Sequence, residues 1–296
     1  MKPKILVSRK ISDLAEEKLS KEFDITLNPK DQPIPERELI KNKKIHTNIK
    51  TVTGKTVGEN LKKKIDVDSK VIKTFKNALT EKAGFLVMKS NFFSSAIMKT
   101  SVISKEFRDQ YLSNPKHPNV FECKAIVFEG PEDYHKRLND KRLKIDENSI
   151  LIIRGCGPVG YPGSAEVVNM QPPDRLLKKG IRHLPTLGDG RQSGTSESPS
   201  ILHVSPESAV GGDLGIVKTG DKIKIDLNKR RVDLMISQLE FKKRRKNRKK
   251  FKTSNQTHWQ EIFRNTVGQL DDGACINSRG KYLDVSHTKG LPRDSH

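Results

Sequence analysis

Two Gly-rich segments, each preceded by a short apolar run, constrain this chain more than any other feature. The run Ile150 to Ile153 leads into 155–160 (GCGPVG), and the run His183 to Leu187 leads into 188–196 (GDGRQSGTS). Short apolar runs bounded by glycine turns are typical of strands, so we predict two strand ends whose loops face one site. Glu166 follows the first turn, and an arginine and several hydroxyls lie in the second. This combination suits a polyhydroxylated, anionic small molecule beside a metal ion.

The first turn matches the G-x-G-x-x-G pattern of dinucleotide-binding proteins, but its context excludes that function. A nucleotide-binding turn runs directly into a helix whose amides hold pyrophosphate, whereas Pro158 and Pro162 interrupt the residues that follow here. The region about twenty residues further on reads QPPDR and lacks a strand ending in an acidic residue. Ser164, Ala165 and Glu166 instead begin a short helical pattern, which predicts Glu166 in the first turn of a helix.

Composition indicates a folded protein without a membrane segment. Hydrophobic residues make up 33% and charged residues 31% of the 296, and no apolar run is long enough to cross a bilayer. The N-terminal MKPKILVSRK lacks the apolar core of a secretory signal, so we expect a cytoplasmic protein. Cys123, Cys156 and Cys275 are far apart and odd in number, which predicts free thiols and neither a disulfide framework nor a local metal knuckle.

The net charge of +21 is concentrated in one segment, 242–252 (KKRRKNRKKFK), in which nine of eleven residues are basic. Such a run is a phosphate-binding strip or nuclear signal in some proteins, and a solvated helix or connector in others. We favour the helix or connector, because aromatic residues do not alternate with the basic ones as base stacking would require. We therefore do not expect a nucleic-acid partner.

Read in order, the chain begins with a strand, a helix over Ser12 to Phe23, and a second strand. This opening, KPKILVSRKISDLAEEKLSKEFDITLN, is similar to the first unit of the 2-hydroxyacid dehydrogenases. We assign 1–40 to this dehydrogenase-like fragment and 41–80 to a linker. From Gly84 onward short apolar runs alternate with turns, which favours a barrel or sandwich, and strict alternation over 222–227 and 232–236 predicts a hairpin.

Four segments together carry a second and longer resemblance: GPVGYPGSAEVVNM, LPTLGDGRQSGTSESPSIL, GDKIKIDLNKRRVDLMIS and THWQEIFRNTVGQL. From about residue 51 to residue 296 the chain resembles the C-terminal part of the dihydroxy-acid and sugar-acid (pentonate) dehydratases. The resemblance implies an α+β fold, with a swivelling β-barrel domain flanked by helices over 81–296, preceded by the short β-α-β fragment. It implies a hydro-lyase that converts a sugar acid to a 2-keto-3-deoxy acid.

The same resemblance implies roles for individual residues. Ser193 matches the catalytic base, Glu166 a Mg²⁺ ligand, and Thr195 and His296 substrate-binding residues. Mg²⁺ would hold the substrate carboxylate, while an iron–sulfur cluster would act as Lewis acid on the departing hydroxyl. Each residue also has a structural alternative: Glu166 could stabilise a helix N-terminus, Ser193 could satisfy a turn, and a terminal histidine is often disordered.

The sequence departs from this family in ways that leave its activity open. The family's N-terminal domain, which supplies the cluster cysteines and most magnesium ligands, has no counterpart in the 296 residues, so no cluster ligand is assigned here. Glu197 and His203 stand where the family usually has glycine and asparagine. We expect a truncated chain that forms homo-oligomers or needs a chain supplying the missing domain. The alternatives are a non-catalytic fusion remnant and a basic nucleic-acid-binding protein.

Overall fold

A computed structural model describes residues 4–7, 13–27, 47–62, 68, 70–79, 84–163, 166, 170–191 and 200–276. The chain divides into two compact units, Met1–Ala83 and Gly84–His296. The candidate site lies in the second unit. The domain boundaries at residues 40 and 80 stay predictions.

The first unit contains the predicted strand–helix–strand opening. Its elements are β1 (Lys4–Val7), α1 (Asp13–Glu22) and β2 (Asp24–Leu27). The two strands pair in parallel, with Lys4 opposite Asp24, as a strand–helix–strand crossover requires. A later short helix, α2 (Val57–Leu61), begins with a capping box in which Thr56 and Glu59 each satisfy the other's backbone amide.

An eight-stranded mixed sheet forms the second unit. Its strands are β3 (Phe85–Met88), β4 (Ser95–Lys99), β5 (Val120–Glu129), β6 (Ser149–Arg154), β7 (Thr186–Gly188), β8 (Ser200–Ser205), β9 (Lys222–Asp226) and β10 (Arg231–Leu234). They are ordered β10-β9-β5-β6-β7-β8-β4-β3. Strands β5 to β8 are parallel to one another, and the outer pairs are antiparallel. The parallel strands bring their carboxyl ends to one edge, where the Gly-rich turns follow.

The sheet curls until its two edge strands almost meet, which makes it a nearly closed barrel. Lys89, directly after β3, forms a parallel bridge with Arg231 at the start of β10. The Lys89 amide donates to the Arg230 carbonyl, and the Val232 amide donates to the Lys89 carbonyl, each at 2.9 Å. These two hydrogen bonds join edges that would otherwise be exposed to pairing with other chains.

Short helices flank the barrel. They are α3 (Lys105–Phe107), continued by a π-helical turn at Arg108–Leu112, then α4 (Pro131–Arg137), α5 (Asp174–Leu177), α6 (Gln238–Lys246) and α7 (His258–Thr266). Pro131 occupies the first turn of α4, and Ser237 and Thr257 cap α6 and α7 through their side-chain oxygens. Among the helices of the described residues, none combines the length and apolarity needed to cross a bilayer.

Alternation along β5 and β6 explains why these strands read as continuous apolar runs. Ala125 and Ile152 belong to the larger core cluster, with residues of β3, β4 and β8 to β10. Ile126 and Ile153 belong to a second cluster, with Tyr134 of α4 and residues around α5. Strands with both faces covered lose the polar alternation of a half-exposed sheet.

The predicted mixed α+β barrel flanked by helices is therefore confirmed, while the swivelling motion stays a prediction. The predicted hairpin is also confirmed, since β9 and β10 pair antiparallel with Ile225 opposite Val232 and Ile223 opposite Leu234. All four of these side chains are buried. The sequence assignment of a strand before each Gly-rich turn is likewise correct, because β6 and β7 occupy those positions.

We expect the substitution Ile152→Ala to destabilise the second unit by about 2 to 5 kcal/mol, because it removes a fully buried side chain from a packed core. The measurement is the free energy of unfolding by denaturant. Leu239→Ala is the control, since Leu239 is 79% exposed in α6, and its effect should stay within about 0.5 kcal/mol. Equal losses for the two variants would contradict the barrel core described here.

Candidate functional site

The first Gly-rich turn lies at the carboxyl edge of the parallel strands, beside the end of β7. Strands β6 and β7 pair in register, with Ile153 opposite Gly188, so Gly155 and Asp189 emerge next to each other. Residues 155–163 form consecutive turns and no helix. The dinucleotide-binding arrangement is therefore absent from this segment, as its two prolines predicted.

Asp189 is fully buried and holds the start of the turn. Its carboxylate accepts hydrogen bonds from the amides of Gly155 (3.1 Å), Cys156 (2.8 Å) and Ser208 (2.9 Å), and from the Ser208 hydroxyl (2.6 Å). Burial raises the pKa of Asp189, against the opposing effect of these four donors. The carboxylate thus joins the loops after β6, β7 and β8.

Glu207 is the second buried carboxylate and holds the end of the turn. It accepts the amides of Val159 (2.9 Å) and Gly160 (2.8 Å), and the side-chain amide of Gln269 (2.9 Å). The Glu207 amide in turn donates to the Gln269 carbonyl oxygen at 2.8 Å. Burial raises the pKa of Glu207 as well. Because its oxygens already accept these donors, Glu207 acts as a structural anchor of the turn.

Arg264 of α7 binds the carbonyl side of the same turn. Its Nε donates to the Val159 carbonyl at 2.7 Å, and Nη2 donates to the Gly160 carbonyl at 3.3 Å. Both amides and both carbonyls of this dipeptide are therefore bound by side chains. The helix that carries Arg264 belongs to the fourth resembling segment, which explains how a distant motif contributes to the site.

The turn depends on glycine because its backbone is in direct contact with other groups. A Cβ added at Gly157 would lie 2.4 Å from Glu207 Oε2, and one at Gly160 would lie 2.6 Å from the Gly155 carbonyl oxygen. A Cβ at Gly155 would lie 2.5 Å from the ring of Phe251. These approaches leave no room for side chains at the three positions.

Glu166 lies beside the second loop. It forms a parallel bridge with Arg191, and it is exposed. The prediction of a helix whose first turn contains Glu166 is wrong at this residue, because bridge pairing requires an extended backbone. The pairing brings a carboxylate from the loop after β6 to the loop after β7. Ser193, Thr195 and His296, the other predicted site residues, lie outside the described residues.

Comparison with known proteins identifies the family. The family model for the dihydroxy-acid/6-phosphogluconate dehydratase C-terminal region matches residues 70–274. D-xylonate dehydratase of Caulobacter vibrioides is 54% identical over 259 residues, which are 88% of this chain and 43% of that protein. L-arabinonate dehydratase of Rhizobium leguminosarum is 40% identical over 68% of this chain and 33% of that protein. This chain belongs to the dihydroxy-acid/6-phosphogluconate dehydratase family.

The family also includes more distant relatives with a different named substrate. Dihydroxy-acid dehydratase of Aquifex aeolicus is 31% identical over 82% of this chain and 41% of that protein. The relatives named here are dehydratases, and so hydro-lyases. The chain spans less than half the length of each of these three relatives.

His203 of β8 supports the second loop in this dehydratase family member. Its amide donates to the Gly190 carbonyl at 3.1 Å, and its φ of 59° lies in the left-handed region. Histidine tolerates this region better than most residues, which explains how His203 can occupy this position. Burial, with a smaller effect of Arg191, lowers the pKa of His203.

The cysteines are free thiols, as predicted. Cys123 and Cys156 are buried in different core clusters, and burial raises the pKa of both thiols. Cys275 is exposed. Within the part of the chain that the structure describes, no group of three or more histidine, cysteine, aspartate or glutamate side chains could hold a metal ion.

Sequence reasoning missed Asp189, Glu207 and Arg264 as organising residues. Asp189 was visible as an acidic residue between two glycines directly after a strand, and Glu207 as an acidic residue after Pro206. Their partners lie far away in the sequence: Asp189 binds an amide 33 residues earlier, and Glu207 binds one 48 residues earlier. No local pattern could identify those pairs.

The substitution Gly157→Ala should destabilise the fold by about 1 to 3 kcal/mol, because the new methyl group would displace Glu207 from the Val159 and Gly160 amides. Gly215→Ala is the matched control, since its Cβ would meet its nearest neighbour, Arg248 Cδ, at 3.4 Å. Denaturant unfolding measures both variants. A Gly157 variant as stable as the Gly215 variant would show that the close contact with Glu207 is wrong.

The destabilisation caused by Asp189→Asn should depend on pH. The raised folded-state pKa of Asp189 means that the folded state binds this proton more tightly than the unfolded chain, whose pKa is about 3.9. The wild-type contribution is therefore complete below about pH 4 and is lost as the pH rises through the folded-state pKa. The stability difference between wild type and variant should shrink with rising pH, measured by unfolding from about pH 4 to about pH 8. A difference that grows with pH would contradict the raised pKa.

Proposed function

We propose that this chain contributes the C-terminal part of a sugar-acid dehydratase site, which removes water from a pentonic acid and gives a 2-keto-3-deoxy acid. The observation that carries the proposal is the bridge between Glu166 and Arg191. Ser193 follows Arg191 by two residues, a connection that spans at most about 7 Å. We propose that the Glu166 carboxylate and the Ser193 hydroxyl serve one site at this edge of the barrel.

In the proposed reaction Ser193, as an alkoxide, takes the proton from the carbon next to the substrate carboxylate. The electron pair left on that carbon forms a double bond to the neighbouring carbon, whose hydroxyl departs as hydroxide. The hydroxide takes the proton from Ser193, which releases water and regenerates the alkoxide. The resulting enol then tautomerises to the keto acid. Thr195 and His296 bind the substrate hydroxyls and carboxylate. A serine hydroxyl ionises only beside a cation and oriented donors. Glu166 is important for this step because it is the proposed ligand of that cation.

Glu166 fits one ligand position of a Mg²⁺ ion, because it is an exposed carboxylate and this hard cation prefers oxygen ligands. When bound, the ion would stabilise negative charge on the substrate carboxylate and on the serine oxygen. The described cysteines do not fit an iron–sulfur cluster. Cluster ligands are cysteine thiolates gathered around one site, whereas in the described residues none of Cys123, Cys156 and Cys275 belongs to a group of three or more side chains that could hold a metal ion.

The comparisons support the proposed substrate class. Identity is 54% to a D-xylonate dehydratase and 40% to an L-arabinonate dehydratase, against 31% to the dihydroxy-acid dehydratase of Aquifex aeolicus. These values support a five-carbon sugar acid over a simple aliphatic dihydroxy acid. We place the reaction in the cytoplasm.

The test is a keto-acid assay of the purified chain with D-xylonate and L-arabinonate, in the presence of Mg²⁺ and under cluster-reconstituting conditions. Ser193→Ala should lower kcat by about 10² to 10⁴-fold, the usual loss when a general base is removed. Glu166→Gln should weaken Mg²⁺ binding, measured directly by calorimetry. Glu147→Gln is the control, because Glu147 is exposed and its side chain forms no ion pair among the described residues.

Each of two results would contradict one part of the proposal. Absence of keto acid with every substrate would remove catalysis by this chain alone and favour a non-catalytic role. Mg²⁺ binding that is the same in the Glu166 and Glu147 variants would remove the ligand role of Glu166, whatever the activity.

A further inference from the structure

The basic segment 242–252 contains two kinds of cation, which differ in what they contact. Its arginines are paired: Arg244 binds Asp221 at 2.5 and 3.0 Å and Glu240 at 2.7 Å, and Arg245 and Arg248 both bind Asp213. Arg244 and Asp221 are 11% and 9% exposed, respectively. These ion pairs stabilise the packing of α6 and the residues after it against the barrel.

The lysines of the same segment are not used in this way. The ammonium groups of Lys242, Lys243, Lys246, Lys249, Lys250 and Lys252 form no ion pair with any carboxylate in the described ranges, and all six residues are exposed. The ion pairs of the arginines therefore explain part of the basic segment. Among the described residues, the positive charges of its lysines are not neutralised by carboxylates.

Four of these lysines line one cavity: Lys243, Lys249, Lys250 and Lys252. The cavity has a volume of about 620 Å³, within the range of small-molecule sites. One wall is the barrel surface at Arg154, Ile216 and Val217, and the other is the segment that carries the lysines. The two acidic residues that line it, Glu129 and Glu240, are already paired with Arg154 and Arg244.

The cavity is separate from the proposed catalytic loops, although it touches the same turn. Neither Glu166 nor Arg191 lines it. Phe251, which does line it, places its ring over Gly155. Phe251 is the one aromatic residue of 242–252, so this segment lacks the row of rings on which successive bases of a single strand stack.

We propose that this cavity binds a small anion with several phosphate groups, held by Lys243, Lys249, Lys250 and Lys252. Lysine binds phosphate as a point charge, and four unpaired ammonium groups match a ligand with about four negative charges better than a monophosphate. The concave shape suits a compact ligand rather than the rod-like backbone of a duplex. This binding does not depend on the proposed dehydratase reaction.

Isothermal titration calorimetry of the full chain with inorganic tripolyphosphate tests the proposal. We expect saturable binding of one tripolyphosphate per chain, weaker binding of orthophosphate, and loss of affinity as salt rises. The triple variant K249Q/K250Q/K252Q should lose at least about tenfold in affinity, because three charge-assisted contacts are removed. Among the described residues these lysines form no ion pair with a carboxylate, so thermal unfolding should match wild type.

The matched control is K141Q/K178Q/K179Q, which removes the same charge from exposed lysines outside the cavity. Its affinity should change by less than about threefold, the residual effect of net charge. Equal losses in the two triple variants, or no saturable binding by wild type, would overturn the proposal. Tighter binding of a 20-base-pair DNA duplex than of tripolyphosphate, dependent on the same lysines, would also overturn it and assign the surface to nucleic acid.

Discussion

The site edge of the barrel depends on hydrogen bonds between two buried carboxylates and backbone amides. Burying a carboxylate is costly unless donors surround it, and Asp189 and Glu207 each have several. Asp189 connects the loops after three parallel strands, while Glu207 connects the turn to the 3₁₀ helix Leu270–Asp272 through the preceding Gln269. Without these contacts the amides of Cys156, Val159 and Gly160 would lose these acceptors and the amide of Gly155 would keep only the Ser208 hydroxyl, so the carboxylates and the turn stabilise each other.

This arrangement explains why the segments that carry the family resemblance are scattered along the chain. The first supplies the turn, the second supplies Asp189, and the last supplies Arg264 and Gln269. Parallel strand order brings their ends to one edge. The remaining segment contains the hairpin of β9 and β10. This hairpin completes the barrel, because Arg231 of β10 forms a bridge with Lys89 after β3.

The strands before the Gly-rich turns, the hairpin and α1 could be predicted from the sequence because their signals are local. Apolar runs marked β6 and β7, and alternation marked the hairpin of β9 and β10. The site was harder to predict, because the partners of Asp189 and Glu207 are tens of residues away. The helix predicted at Glu166 was wrong, because backbone pairing between Glu166 and Arg191 overrides the local helical pattern. In the basic segment, sequence could not separate anchoring arginines from unpaired lysines, since that distinction depends on Asp213 and Asp221 in other loops.

The close contacts at Gly155, Gly157 and Gly160 limit which residues of such an enzyme can change. Each position is closed by a different neighbour: an aromatic ring, a carboxylate and a carbonyl oxygen. A substitution that adds a side chain at any of these three glycines would therefore displace the neighbouring group and disrupt the turn. Side chains that alter ligand preference are therefore accommodated in the surrounding loops and not at these three glycines.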